Sequence, residues 1–175
     1  MRPAILAGVC ALAAAGGARA EVVDRSPAGF EVRYEQTLDA SQAKVRAAVL
    51  DVGRWWDAEH TYSGDARNMS IDLATGCFCE KLKDGFVRHM TVVYSAAGGL
   101  TLAGALGPLQ TTGASGHMAF VFKPAGPDRT VLTMTYDVGG YVRGGLAETW
   151  AGPVDQVLDR QMKRLGSLIA TGKPD

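Results

Sequence analysis

The sequence predicts an α+β fold: a curved antiparallel sheet of about seven strands around a long C-terminal helix, with two short helices after the first strand. Three observations predict it. Six strand-like segments follow one another between residues 68 and 138, separated by turns rich in Gly, Pro and Asp and by no helical pattern. Closely spaced strands without intervening helices pair antiparallel. Apolar residues then recur at helical spacing from Val154 to Ile169. One alternating segment and one short, capped helical segment precede the run of strands.

Phe30, Val32 and Tyr34 alternate with Glu31, Arg33 and Glu35, the pattern of a half-buried strand over residues 30–38. Ser41 can cap a helix carrying Val45, Ala48, Val49 and Val52. A tight segment at 53–57 contains Trp55 and Trp56, and a polar loop at 59–68 holds His60, Tyr62 and Gly64. Strands are expected at 68–73, 76–83, 86–95, 99–106, 116–123 and 130–138. Alternation assigns Leu100, Leu102 and Leu106, Met118, Phe120 and Phe122, and Leu132, Met134 and Tyr136 to the buried face. Pro153 suits the first turn of the last helix. Its apolar stripe runs through Val154, Val157, Leu158, Gln161, Leu165, Leu168 and Ile169. Gly166 weakens that helix but permits a close backbone approach. Gly139-Gly140 and Gly144-Gly145, flanking Tyr141, read as a hinge into it; no phosphate-loop pattern is present.

The chain has 175 residues. Residues 1–20 read as a cleaved signal peptide: Arg2, a short apolar run over 4–15, and the cleavage pattern Ala18-Arg19-Ala20. The expected destination is the periplasm or the exterior, and the expected single domain is 21–175. The apolar run is shorter than the roughly 20 residues a bilayer span needs, and no other segment is apolar enough. Loss of Arg2 and Arg19 changes 18 basic and 18 acidic residues to 16 and 18, a net charge near −2. No clustered basic face argues for a nucleic-acid partner, and no cofactor is expected.

The most informative stretch is Gly76-Cys77-Phe78-Cys79-Glu80, followed by His89. Asp84-Gly85 is a strong two-residue hairpin signal. With those residues as the turn, Lys83 faces Phe86, Lys81 faces Arg88, and Glu80 lies opposite His89. Opposed residues share a face with Cβ atoms about 5 Å apart. Phe78, Leu82, Val87, Thr91 and Val93 share the Glu80–His89 face; Cys77, Cys79, Lys81, Arg88, Met90 and Val92 take the other. Lys81 and Arg88 mark that other face as solvent-facing, so Glu80 and His89 are expected to look inward. The pair suits either a structural hydrogen bond or a general base with its orienting group.

Cys77 and Cys79 are the only thiols outside the signal segment. An oxidising compartment favours a disulfide or redox pair. Two residues on an extended strand stand about 6.5–7 Å apart, so a bond between them needs a bulge or strain. Two free half-buried thiols, or metal ligands, stay open as alternatives. His60 with His89 and Glu80 is a conceivable metal set, but the spacing matches no metal signature, and no metal site is assigned. His117 alternates with the buried Met118 and is expected to be exposed.

Several words in order carry a resemblance: Trp55-Trp56, His60-Thr61-Tyr62-Ser63-Gly64-Asp65, Gly76-Cys77-Phe78-Cys79-Glu80, His89-Met90-Thr91-Val92-Val93, Gly104-Ala105-Leu106-Gly107-Pro108-Leu109-Gln110 and Tyr136-Asp137-Val138-Gly139-Gly140-Tyr141. Over roughly residues 30–168 the chain resembles the helix-grip SRPBCC superfamily, which includes START lipid-transfer domains and polyketide cyclases. It is most similar there to an uncharacterised secreted bacterial subset. The resemblance implies a helix-grip fold with an internal apolar pocket, and it transfers no reaction, since fold alone does not fix function.

The expected function is therefore a periplasmic binding or carrier domain for a small hydrophobic or amphipathic ligand. Trp55, Trp56, His60, Tyr62, Glu80, His89, Leu106, Tyr136 and Tyr141 are the candidate ligand-binding residues. The competing expectation is a cyclase- or hydrolase-like enzyme using Glu80, His89 and His60 in the same cavity.

Overall fold

The computed structural model describes residues 20–174. The expected signal peptide lies outside those residues except for residue 20, which begins the first strand. Eight strands alternate with few helices. They are β1 (Ala20–Ser26), β2 (Gly29–Leu38), β3 (Met69–Asp72), β4 (Cys77–Leu82), β5 (Gly85–Ala96), β6 (Gly99–Gly104), β7 (Gly113–Pro124) and β8 (Thr130–Tyr141). The helices are α1 (Gln42–Leu50) and α2 (Leu146–Thr171). The strands form one antiparallel sheet in the order β1-β2-β8-β7-β6-β5-β4-β3. The strand beyond the expected seven is β1. Its Glu21-Val22-Val23-Asp24 run has no clear alternation, and pairing with β2 rather than side-chain pattern defines it.

The helix-grip arrangement follows from where the apolar faces point. Phe30, Val32 and Tyr34 on β2 are buried with Met118, Phe120 and Phe122 on β7 and Leu132, Met134 and Tyr136 on β8. Leu158, Leu165, Leu168 and Ile169 of α2 close over this face, and the helix packs on β2, β1 and β8. Gly166 lies against the Gln36 side chain, where a Cβ would come within 2.9 Å of Oε1. Ser41 caps α1 through the Lys44 N–H, and Val45 and Val49 are its buried residues. The tight segment after α1 carries the 3₁₀ turn Val52–Arg54, and the loop beyond it holds two more, Ala58–His60 and Ala66–Asn68.

Helix α2 starts one and a half to two turns earlier than Pro153 suggests. Leu146, Ala147 and Ala151 extend its buried side toward the N-terminus, and Pro153 sits inside it. The missing N–H leaves the Thr149 carbonyl without its helical partner. Gly139 and Gly140 are no hinge: they belong to β8, where Gly140 pairs with Ala114 at φ +122° and a Cβ would fall 2.2 Å from the Gly113 oxygen. Only Gly144 and Gly145 lead into the helix.

The β4–β5 hairpin turns one residue earlier than the Asp-Gly signal places it. Leu82 pairs with Gly85, so Lys83-Asp84 form the turn, Lys81 faces Phe86 and Glu80 faces Val87. A bulge then intervenes. Cys79 pairs with Arg88 but Phe78 with Met90, leaving His89 as the extra residue. A bulge turns consecutive side chains toward one side, and His89 and Met90 are both buried. Met90 is thus an inward residue, not an outward one, and Val93 is exposed. Opposite the bulge, Cys77 and Cys79 form a disulfide with Cα atoms 5.3 Å apart, shorter than the roughly 6.5–7 Å of a regular strand.

β6 ends at Gly104, which faces Met90 beside the bulge. Its φ is +146°, and a Cβ there would stand 2.9 Å from the His89 carbonyl oxygen and 3.1 Å from the Met90 Cα. Gly104→Ala is expected to lower stability by about 1–3 kcal/mol through strain and backbone displacement. Thermal unfolding of the variant reads the loss; an unchanged melting temperature would show that the bulge does not require glycine.

Candidate functional site

Glu80 sits on β4 beneath the loop that carries His60, Tyr62 and Ser63. Its side chain is fully buried. A buried carboxylate needs partners, and three groups supply them. The backbone N–H of Tyr62 donates at 3.1 Å, the backbone N–H of Ser63 donates to the other oxygen, and His89 Nε2 lies 3.0 Å away. The Tyr62 ring stacks on the His89 imidazole with centroids 6.0 Å apart, and the Phe78 ring lies tilted against the same imidazole at 5.3 Å. One side chain therefore fixes a loop, a bulge and an imidazole together.

Burial pushes the Glu80 carboxyl up, but hydrogen bonds from Ser63, Tyr62 and His89 outweigh it and hold the group below its ordinary value. For His89, burial lowers the pKa and the contact with Glu80 only partly restores it. At neutral pH the carboxylate is charged and the imidazole neutral. Nε2–H then donates to Glu80, and Nδ1 keeps an unshared electron pair. That nitrogen makes no hydrogen bond among the described residues.

His89 forms part of the wall of a cleft of about 360 Å³. The cleft opens where the first half of α2 stands away from the sheet. Trp150, Pro153, Val154, Val157 and Leu158 form the helix side. Trp56 and residues 59–62 form the loop side, and the 3₁₀ turn Gly107–Thr111 with Leu106 closes the end. Three contacts hold that end in place. The Leu106 N–H donates to the Tyr136 hydroxyl at 3.1 Å, and Gln110 Nε2 donates to the Arg88 and His89 carbonyls at 2.6 and 3.4 Å.

The loop side is fastened to α2. Gln161, fully buried, accepts the Asp57 N–H at 2.8 Å, and Arg164 donates to the Trp55 carbonyl at 2.9 Å. Arg160 pairs with Asp57 and with Glu59 at 3.3 Å. His60 Nδ1 lies 3.4 Å from Gln161 Nε2 and 3.8 Å from Asp57. Trp56 Nε1 donates to the His60 carbonyl at 3.0 Å.

The expected site residues divide into two groups. Trp56, His60, Tyr62, His89 and Leu106 come together around the cleft, and Glu80 lies directly behind His89. Trp55, Tyr136 and Tyr141 do not border it. Trp55 is core, its Nε1 bonded to the Ala48 carbonyl; Tyr136 is core, its hydroxyl bonded to Leu106; Tyr141 is 76% exposed at the end of β8. His117 is exposed. No cluster of three His, Cys, Asp or Glu side chains suited to a metal ion occurs among the described residues. Placing the helix start at Pro153 hid Trp150 from the sequence reading. The i, i+3, i+4 recurrence of Leu146, Ala147, Trp150, Ala151 and Val154 carries the signal that finds it.

No protein-family model matches the chain and no curated protein matches it. Solved structures do. A conserved protein of unknown function from Enterococcus faecalis, EF2215, is 14% identical with a TM-score of 0.59, over 89% of this chain and 77% of that one. An uncharacterised protein from Rhizobium leguminosarum is 19% identical with a TM-score of 0.58, over 89% of this chain and 99% of that one. CalU16 from Micromonospora echinospora is 14% identical with a TM-score of 0.55, over 91% of this chain and 84% of that one. At these identities the likeness is one of fold.

Two outcomes follow from the buried pair. Glu80→Ala strands three donors at about 1 kcal/mol each, partly relieved by water at the loop, so a loss of about 2–3 kcal/mol is expected in denaturant unfolding. His89, held below its ordinary value of 6.5, resists protonation in the fold more than in the unfolded chain. Stability should therefore be full above that pH and fall as the pH drops below it. Glu80, also depressed, adds a further loss below its ordinary value of 4.5. Melting temperatures measured from pH 8 to 5 should decline in the wild type and flatten in His89→Asn; equal declines in both would remove His89 as the cause.

Proposed function

We propose that the protein binds a small hydrophobic or amphipathic molecule in the cleft between α2 and the 106–109 segment. The observation that carries this reading is the cleft itself: apolar and aromatic walls around one neutral imidazole whose free nitrogen is its inner polar group. Ligand sites are typically concave, about 300–1,000 Å³, mostly apolar, with few placed polar groups. The remainder of the sheet face is filled by its own side chains, so the guest is small rather than a long acyl chain lying across the sheet. The signal-like residues 1–20 support a periplasmic or secreted site of action. The resemblance to the secreted SRPBCC subset, read from the sequence words above, supports the same assignment.

A second reading is favoured by one contact. His89, neutral and oriented by a charged carboxylate, has the arrangement of a general base with its positioning group. A cyclase- or hydrolase-like reaction in the same cleft would use His89 on the substrate, Glu80 behind it, and His60 at the rim. Glu80→Gln, which keeps the shape but removes the charge, would then abolish turnover while preserving binding.

N-phenyl-1-naphthylamine, a neutral dye that brightens in apolar surroundings, tests the binding reading. Saturable one-site binding is expected for the wild type, weakened at least about tenfold in Val157→Trp, where the new ring fills the space the dye needs. The variant should melt no lower than the wild type by more than the usual cost of a rim substitution. Dye binding that is unsaturable, or indifferent to Val157→Trp, counts against the cleft as the site.

A further inference from the structure

The polar atoms of the cleft say which headgroup it accepts, given that it binds a guest at all. None of the side chains that form its wall is Lys or Arg. The cation nearest its mouth, Arg160, is already engaged by two carboxylates, Asp57 and Glu59. The charges that do face the cleft are negative: Glu59 on the rim and, behind the imidazole, Glu80. His89 presents Nδ1, because Nε2 is committed to Glu80. An acceptor backed by a carboxylate welcomes a donor and repels an anion. On the helix side, Trp150 Nε1 is buried and has no hydrogen-bond partner among the described residues. Closed to a water-sized group, it offers the guest no donor, which leaves His89 as the deciding polar group. A hydroxyl donates to an imidazole nitrogen without bringing a charge into the cleft. Rings of Trp56, Tyr62, Trp150, Pro108 and Pro153 contribute to the walls, surfaces on which a ring-shaped guest packs.

We infer that the cleft selects an uncharged, ring-shaped molecule bearing a hydroxyl, a phenol or a cyclic alcohol, and rejects the matching carboxylate. The hydroxyl donates to His89 Nδ1. This rests on the cleft being a binding site, and the ligand series below separates the two claims.

Calorimetric titration of the full chain at pH 7.5 with naphthalene, 2-naphthol and 2-naphthoate provides the test. One net hydrogen bond predicts that 2-naphthol binds about 3- to 10-fold tighter than naphthalene. The naphthoate should bind more weakly than naphthalene. In His89→Leu the advantage of 2-naphthol over naphthalene should disappear while naphthalene still binds. If His89→Leu does not fold, the wild-type series decides alone. Equal binding of all three, or preference for the naphthoate, overturns the headgroup assignment and leaves the apolar cleft standing. No binding of any of them overturns both.

Discussion

The structure turns on one buried carboxylate. Glu80 is fully buried, so its charge survives only because three donors reach it from two different parts of the chain. Those donors are backbone N–H groups of the loop at Tyr62 and Ser63 and the imidazole of His89. Removing water from a carboxylate is expensive. The fold meets that cost by bringing a loop down onto a strand and an imidazole across from the next one. The position of the loop, the orientation of His89 and the shape of the cleft mouth all follow from this arrangement.

The bulge in β5 is the second half of the same design. In a regular ladder, a hairpin turning at Lys83-Asp84 would set His89 opposite Phe78. That position already shares the inner face with Phe78 and Glu80; the extra residue leaves His89 unpaired and turns Met90, which alternation would aim outward, onto the same inner face. Three features cluster around the irregularity: the Cys77–Cys79 disulfide on the opposing strand, Gly104 on the neighbouring strand, and Gln110 reaching both carbonyls of the bulged segment. Bulges at sheet sites commonly re-aim a side chain, and here the re-aimed side chain is Met90, set inward beside His89, whose ring borders the cleft.

Much of the architecture was legible in the sequence because it rests on periodicity. Alternation in 30–34, 118–122 and 132–136 places the buried faces correctly, and the stripe from Val154 to Ile169 identifies the terminal helix. Where local signals competed with tertiary structure, they misled. Asp84-Gly85 is a strong turn dipeptide, yet the turn falls at Lys83-Asp84. Pro153 reads as a helix start, yet the buried Leu146, Ala147 and Ala151 extend the helix past it. The Glu80–His89 contact was anticipated through a register that does not occur. The earlier turn slides the register by two residues and so preserves which side chains share a face: His89 moves from directly opposite Glu80 to the diagonal position beyond Val87, still on the Glu80 face. The loop donors to Glu80 were not legible, since backbone N–H groups leave no mark in side-chain pattern. Tyr136 and Tyr141 show the reverse: each looked like a pocket group, and one braces the cleft from within the core while the other stands in solvent.

The central claim is that burial keeps His89 neutral while Glu80 orients it through Nε2, leaving Nδ1 free. Nitrogen-15 NMR of the His89 ring at pH 7 reads that state directly. The expected spectrum shows Nε2 protonated and Nδ1 bare, with the Nε2 proton shifted by its bond to a carboxylate. An imidazolium with both nitrogens protonated, or a tautomer carrying its proton on Nδ1, would contradict it.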